Sequence, residues 1–153
     1  MDAVDRSIID ALRANARATY TELAREVGLS APAVHDRVSK LEAQEVITGY
    51  HAAVAPEALG YSMSALVGVF LSDNADEDEV AEALAALAAV EDCWFVAGEE
   101  SFVVKVRVPD VLGLETAIRA LSKIKGVART RSTVVLSTRF EGRVQSAGEQ
   151  SAE

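Results

Sequence analysis

Apolar residues recur at helical spacing three times in the first fifty positions. Val4, Ile8, Ile9 and Leu12 mark one helix; Leu23, Ala24 and Val27 mark a second; Val34, Val38 and Leu41, at i, i+4 and i+7, mark a third. The second pattern opens on Thr19 and Glu22, three apart. That is the spacing of a capping box, in which each side chain satisfies a backbone donor of the other residue. The third opens on Ser30, a good N-cap, and tolerates Pro32 in its first turn, where a helix needs no backbone donor. Gly28-Leu29-Ser30 separates the two, and a glycine there permits a sharp turn. Two short helices so joined form a helix-turn-helix arrangement.

The polar side of the third helix then becomes the informative surface. It offers His35, Asp36, Arg37, Ser39 and Lys40, with Ser30 and small Ala31 and Ala33 near its start. Small residues let the start of a helix approach a groove closely, and Arg37 and Lys40 are the cations of this face. Three helices in about fifty residues suit a small domain whose last helix enters the major groove of double-stranded DNA. Periodicity alone equally describes an αα-hairpin packed into an ordinary core.

The pattern changes after residue 46. Residues 47–54 read as a short linking strand, and Pro56 and Gly60 then interrupt the chain. Residues 63–72, MSALVGVFLS, are strand-like and apolar on both faces. A helical stretch follows, with Val80, Leu84, Leu87 and Ala88 on one side and an acidic run, residues 76–79, at its positive end. Strands are expected over 92–97 and 102–108, joined by the turn Gly98-Glu99-Glu100-Ser101. Then come a helix capped by Asp110 and ending at Lys125-Gly126, and a last strand over 127–138. The order β-α-β-β-α-β is that of the ferredoxin-like split βαβ unit. The whole is an α+β protein. A helix-turn-helix domain (1–50) is joined through a linking strand and hinge (51–60) to a βαββαβ domain (61–138), with a polar mobile tail (139–153). Two helices cover one face of a four-stranded sheet, so the apolar residues of the other face predict self-association.

Composition narrows the function. Half of the residues are hydrophobic, enough for folded cores. No run is apolar for long enough to span a bilayer, and the acidic start lacks the basic region of a signal peptide. A cytoplasmic protein without a membrane partner is expected. Cys93, the single cysteine, reads as a small buried residue of a strand. His35 and His51 have no neighbouring cysteine or paired carboxylate, so no metal site, cofactor or catalytic constellation is expected. The turn at 98–101 reads most simply as a hairpin connection.

The net charge of −9 is unusual for a nucleic-acid binder. Residues 1–50 hold six Lys and Arg against eight Asp and Glu, so the helical half is nearly neutral and the remainder carries most of the negative charge. A single copy gains little from counterion release. DNA binding by such a chain calls for several linked copies.

Together these features resemble the Lrp/AsnC, or feast/famine, transcription regulators. The resemblance spans about residues 2–140. It rests on Asp5-Arg6, Ile8-Ile9, Glu22-Leu23-Ala24, Val27-Gly28-Leu29-Ser30, Arg37-Val38, Leu41-Glu42 and Val46-Ile47-Thr48-Gly49-Tyr50. In the second half it rests on Pro56, Leu59-Gly60, Gly98, Lys105-Val106-Arg107-Val108-Pro109 and Gly126-Val127. It implies a homodimer formed by packing sheets, an octamer of four dimers, and an amino-acid effector bound near the turn after the second strand. Carried over residue by residue, the effector site is Gly98, Glu99, Glu100 and Ser101 with Thr130 and Ser132. Many members have Gly-x-x-Asp at this turn; here Ser101 takes the Asp place, and acids stand at Glu99 and Glu100.

The reading is therefore a sequence-specific DNA-binding regulator, not an enzyme, that responds to an amino acid or related metabolite. Its rivals are an architectural DNA-wrapping protein without effector, and a stand-alone amino-acid sensor or enzyme on the ferredoxin-like domain.

Overall fold

The computed structural model describes residues 1–143. The chain divides into two compact units, Met1–Ala53 with the stretch from Phe140, and Val54–Arg139.

The first unit contains α1 (Ala3–Ala14), α2 (Tyr20–Val27) and α3 (Ala31–Ala43). Each start is closed by a side chain. Asp2 and Asp5 form a capping box on α1, Thr19 and Glu22 form one on α2, and the Ser30 hydroxyl accepts from the Ala33 N–H. The hydrogen bonds that Glu22 accepts from the Thr19 backbone and hydroxyl hold its carboxyl below the usual range. Gly28 ends α2 at φ 69°, a left-handed conformation in which glycine meets no Cβ penalty, and the Leu29 N–H returns to the Ala24 carbonyl at 3.0 Å. Ile8, Leu12, Leu23, Ala24, Val34 and Val38 form the common core, with Val4, Val27 and Ile47 packed around it.

The second unit starts with a 3-10 turn, Pro56–Leu59, closed by Gly60 at φ 84°. There follow β1 (Met63–Leu71), α4 (Glu77–Ala85), β2 (Val90–Phe95), β3 (Phe102–Val108), α5 (Val111–Ser122) and β4 (Val127–Val135). The sheet order is β2-β3-β1-β4, with every neighbouring pair antiparallel. That is the ferredoxin-like order, and it confirms the expected α+β architecture. Alternation along β1 separates two faces. Ala65, Val67 and Val69 turn inward and pack with Val104 and Val106 against Val80, Leu84, Leu114 and Leu121. Ser64, Leu66, Gly68 and Phe70 point to the face that neither helix covers.

Several boundaries differ from the sequence reading. Residues 47–54 form no strand: a strand is defined by its ladder to a neighbour, and this segment has none among the described residues. The last strand ends at Val135 rather than 138: Val135 pairs with Ser64, one residue from the start of β1, and the ladder between the two strands goes no further. β2 starts two residues early because Val90 already pairs with Val106 across an irregularity. α5 ends at Ser122, short of Lys125, and Gly126 at φ 94° serves the turn into β4 instead of capping the helix. Cys93 is exposed rather than buried, since β2 is an edge strand that the nine-residue α4 only partly covers. Residues 139–143 carry no helix or strand, and the rest of the expected tail lies outside the described residues.

Candidate DNA-reading helix and effector site

In α3, Val34, Val38 and Leu41 are all but sealed, with relative exposures of 0%, 1% and 3%, and they fix which side faces outward. Pro32, His35, Asp36 and Lys40 are exposed; Ala31, Ala33, Arg37 and Ser39 are half-buried. The two flanks of the helix are engaged by its neighbours. On one, the Tyr20 ring of α2 meets His35 edge-on at 5.1 Å between centroids, and His35 Nδ1 lies 3.5 Å from an Asp36 carboxylate oxygen. On the other, Arg37 Nη1 donates to Asp2 Oδ2 at 2.7 Å and to Asp5 Oδ1 at 2.6 Å. The Asp5 backbone N–H, followed by the Arg37 guanidinium, holds the Asp2 carboxyl below its ordinary range; the two carboxylates keep Arg37 firmly charged. Of the two cations that the sequence places on this helix, Lys40 is exposed and makes no ion pair among the described residues. The sequence alone does not connect these acids with Arg37, although their spacing at the start of α1 is itself a capping signal.

Just beyond α3, the Tyr50 hydroxyl donates to Glu42 Oε1 at 2.8 Å. Partial burial and that carboxylate push the phenol up to about 12.

In the second unit the turn at 96–101 is tied at both ends. The Val96 N–H bonds the Ser101 carbonyl, and the Ser101 N–H bonds the Val69 carbonyl, both at 3.0 Å. Gly98 and Glu99 are exposed, while Glu100 and Ser101 are half-buried. The Glu100 side chain, 15% exposed, folds across Gly68 of β1 and pairs with the Arg131 guanidinium of β4. This path exists because position 68 has no side chain: a Cβ there would lie 2.6 Å from Glu100 Cγ. Arg129 stacks over the Phe70 ring at 3.4 Å on the same open face.

Thr130 and Ser132 do not join Glu100. They pair with Val69 and Val67 of β1, so they point to the helix-covered side, and the Thr130 hydroxyl lies 3.3 Å from that of Ser122. Within one chain, therefore, the turn and the two hydroxyls approach from opposite faces of β4. Arg131 and Gly68 are the neighbours of Glu100 that sequence reasoning missed. A lone glycine inside an apolar strand was the available signal.

The open face also carries a charged band. Lys105 Nζ lies 2.7 Å from Glu91 and 3.9 Å from Asp92, and Arg107 Nε lies 3.0 Å from Glu91. Burial alone pushes the Glu91 carboxyl up, but the hydrogen bonds from Lys105 and Arg107 prevail and lower it. Beside this band Leu66 is 41% and Trp94 46% exposed. Among the described residues no cluster of His, Cys, Asp and Glu could hold a metal ion, and no helix is long and apolar enough to cross a membrane.

A helix-turn-helix unit followed by a ferredoxin-like unit defines the class of a DNA-binding regulator with a separate sensing domain. Comparison with known proteins agrees. Residues 1–42 match the AsnC-type helix-turn-helix domain, and residues 64–145 match the Lrp/AsnC ligand-binding domain. The chain is 41% identical over 143 residues to the HTH-type transcriptional regulator LrpA of Mycobacterium tuberculosis, covering 94% of this chain and 95% of that protein. It is 32% identical over 136 residues to the regulatory protein AsnC of Escherichia coli, covering 89% and 88%. A solved feast or famine regulatory protein from M. tuberculosis, complexed with L-methionine, superposes with a TM-score of 0.89 at 40% identity, covering 95% of this chain and 98% of that one. The chain belongs to the Lrp/AsnC family of transcriptional regulators.

Proposed function

We propose that this regulator binds double-stranded DNA through α3 as a homo-oligomer, and that an amino acid bound near the 98–101 turn alters that binding. One observation carries the effector assignment. Glu100 and Arg131 form a pair of opposite charges at one end of the open face, a match for the ammonium and carboxylate of a free amino acid. The hydroxyl of Ser101 and the exposed carboxylate of Glu99 adjoin it, and Thr130 and Ser132 complete the site where a second copy approaches the β4 edge. The methionine complex of the M. tuberculosis relative makes L-methionine the first ligand to try.

The open sheet face supports a dimer, since Leu66 and Trp94 lie exposed beside paired charges. Two linked helix-turn-helix units offset the weak electrostatic attraction of one, and four dimers would make the octamer that the family resemblance implies. On α3, Ser30, Ala31 and Ala33 admit the helix start to the groove, while His35, Asp36, Ser39 and Lys40 face the DNA. The function is one of binding, without catalysis, and contact with the chromosome places it in the cytoplasm.

The test is a thermal-shift screen of the twenty amino acids, followed by calorimetry on the best. Glu100→Gln with Ser101→Ala should abolish measurable binding. An unchanged affinity in that double variant moves the site elsewhere.

A further inference from the structure

On the reading that α3 enters DNA, an outward arginine is the natural candidate to read guanine. Its surroundings assign Arg37 a different task. At roughly 100° per residue, Arg37 lies about 60–70° from the middle of the buried stripe of α3, on the flank facing α1. Pro32, Asp36, Ser39 and Lys40 lie on the opposite side of the helix.

Arg37 is also held by more than a surface ion pair. One guanidinium nitrogen donates to two carboxylates, and those carboxylates are fixed by each other's backbone. The Asp5 N–H donates to Asp2 Oδ1 at 2.8 Å and the Asp2 N–H to Asp5 Oδ2 at 2.9 Å. Arg37 thus closes a ring that includes the capping box of α1. The Asp5 side chain is only 15% exposed and that of Arg37 34%. The cluster carries one positive and two negative charges, so it offers phosphate no net attraction. Withdrawing Arg37 to a base would leave two carboxylates unpaired beside the DNA backbone.

We propose that Arg37 is a positioning residue, which ties the middle of α3 to the start of α1 and sets the angle at which Asp36, Ser39 and Lys40 meet the groove. A base-reading arginine affects one base pair; a residue that sets the angle of the helix affects all of them together.

The test uses the full chain and an operator obtained by in vitro selection. Arg37→Gln, the double variant Asp2→Asn with Asp5→Asn, and the triple variant are titrated by fluorescence anisotropy. The duplexes are the operator, each of its single-base-pair variants, and an unrelated sequence at the same salt. The ratio of operator to unrelated affinity cancels the phosphate attraction common to both. Arg37→Gln should lower that ratio roughly tenfold, evenly over the operator. The carboxylate pair should lower it by the same factor, and the triple variant no further. Loss confined to one base pair in Arg37→Gln, or an unchanged or raised ratio on removing the carboxylates, overturns the proposal. Should Arg37→Gln not fold, Arg37→Lys keeps the charge and carries the same test: an even partial loss supports positioning, and loss at one base pair refutes it.

Discussion

Replacing Leu66 separates the two faces of the sheet, because its neighbours in sequence lie on the other side. Ala65 and Val67 are fully buried under α4 and α5, whereas Leu66 is 41% exposed on the open face. Complete burial of a leucine side chain is worth about 1.5–3 kcal/mol, so covering the remaining share contributes about 1 kcal/mol per protomer. A twofold interface counts the residue twice, giving about 2 kcal/mol, or about a thirtyfold weaker dimer for Leu66→Ala. Leu66→Asp adds two carboxylates to a desolvated surface, each costing several kcal/mol, and should leave monomers at micromolar concentration. Trp94, the sole tryptophan, supplies the assay. It is 46% exposed on the same face, so its emission should shift to shorter wavelength on association, with the same concentration dependence as sedimentation. Circular dichroism should stay native in Leu66→Asp. A Leu66→Asp protein that sediments like the parent, with unaltered Trp94 emission, would refute the sheet-to-sheet dimer.

Gly68→Ala drives a methyl to within 2.6 Å of Glu100 Cγ, so the flexible glutamate should swing away from Arg131. Calorimetry should show weakened amino-acid binding, while chemical denaturation changes by less than about 1 kcal/mol. Gly126→Ala should destabilise the second unit by about 1–3 kcal/mol in thermal melts, because residue 126 has φ 94° and the new methyl lies 3.0 Å from both Ala75 Cβ and Val80 Cγ2. Acid should destabilise both units. Asp2, Glu22 and Glu91 are depressed when folded, so their contribution is complete above their ordinary values of 3.8 and 4.5 and is lost as pH falls below them. In urea titrations from pH 6 to pH 2.5, Glu22→Gln should flatten the acid limb for the first unit. An identical limb in variant and parent assigns the loss to other groups.

What the sequence revealed followed the range of the interactions. The Thr19 and Glu22 box, the Gly28 turn and the stripe of Val34, Val38 and Leu41 are set within one or two helical turns, so spacing alone displayed them. The order of elements in the second unit was legible because helical spacing of apolar residues gives way to strand-like runs at the junctions between helices and strands, and the turn at 98–101 separates the two strands that follow each other. Arg37 looks like an outward cation in the sequence because its partners, Asp2 and Asp5, stand more than thirty positions away. Thr130 and Ser132, two apart on one strand, share a face by alternation. Which face depended on their register against β1, and the pattern of β4 alone does not carry that. The exposure of Cys93 likewise depended on β2 being an edge strand, a consequence of sheet order. The 47–54 segment is strand-like in local composition, but pairing is a property of two segments.

The central claim is that DNA binding by α3 and amino-acid binding at the turn are coupled in one molecule. It is tested most directly by fluorescence anisotropy of the full chain on its selected operator, titrated with and without saturating L-methionine. The account predicts a shift in operator affinity of about 5–150-fold, the usual range of allosteric coupling, which Glu100→Gln with Ser101→Ala abolishes while ligand-free DNA binding persists. An operator affinity that no amino acid alters in the parent protein, or a shift that survives intact in the double variant, would contradict it.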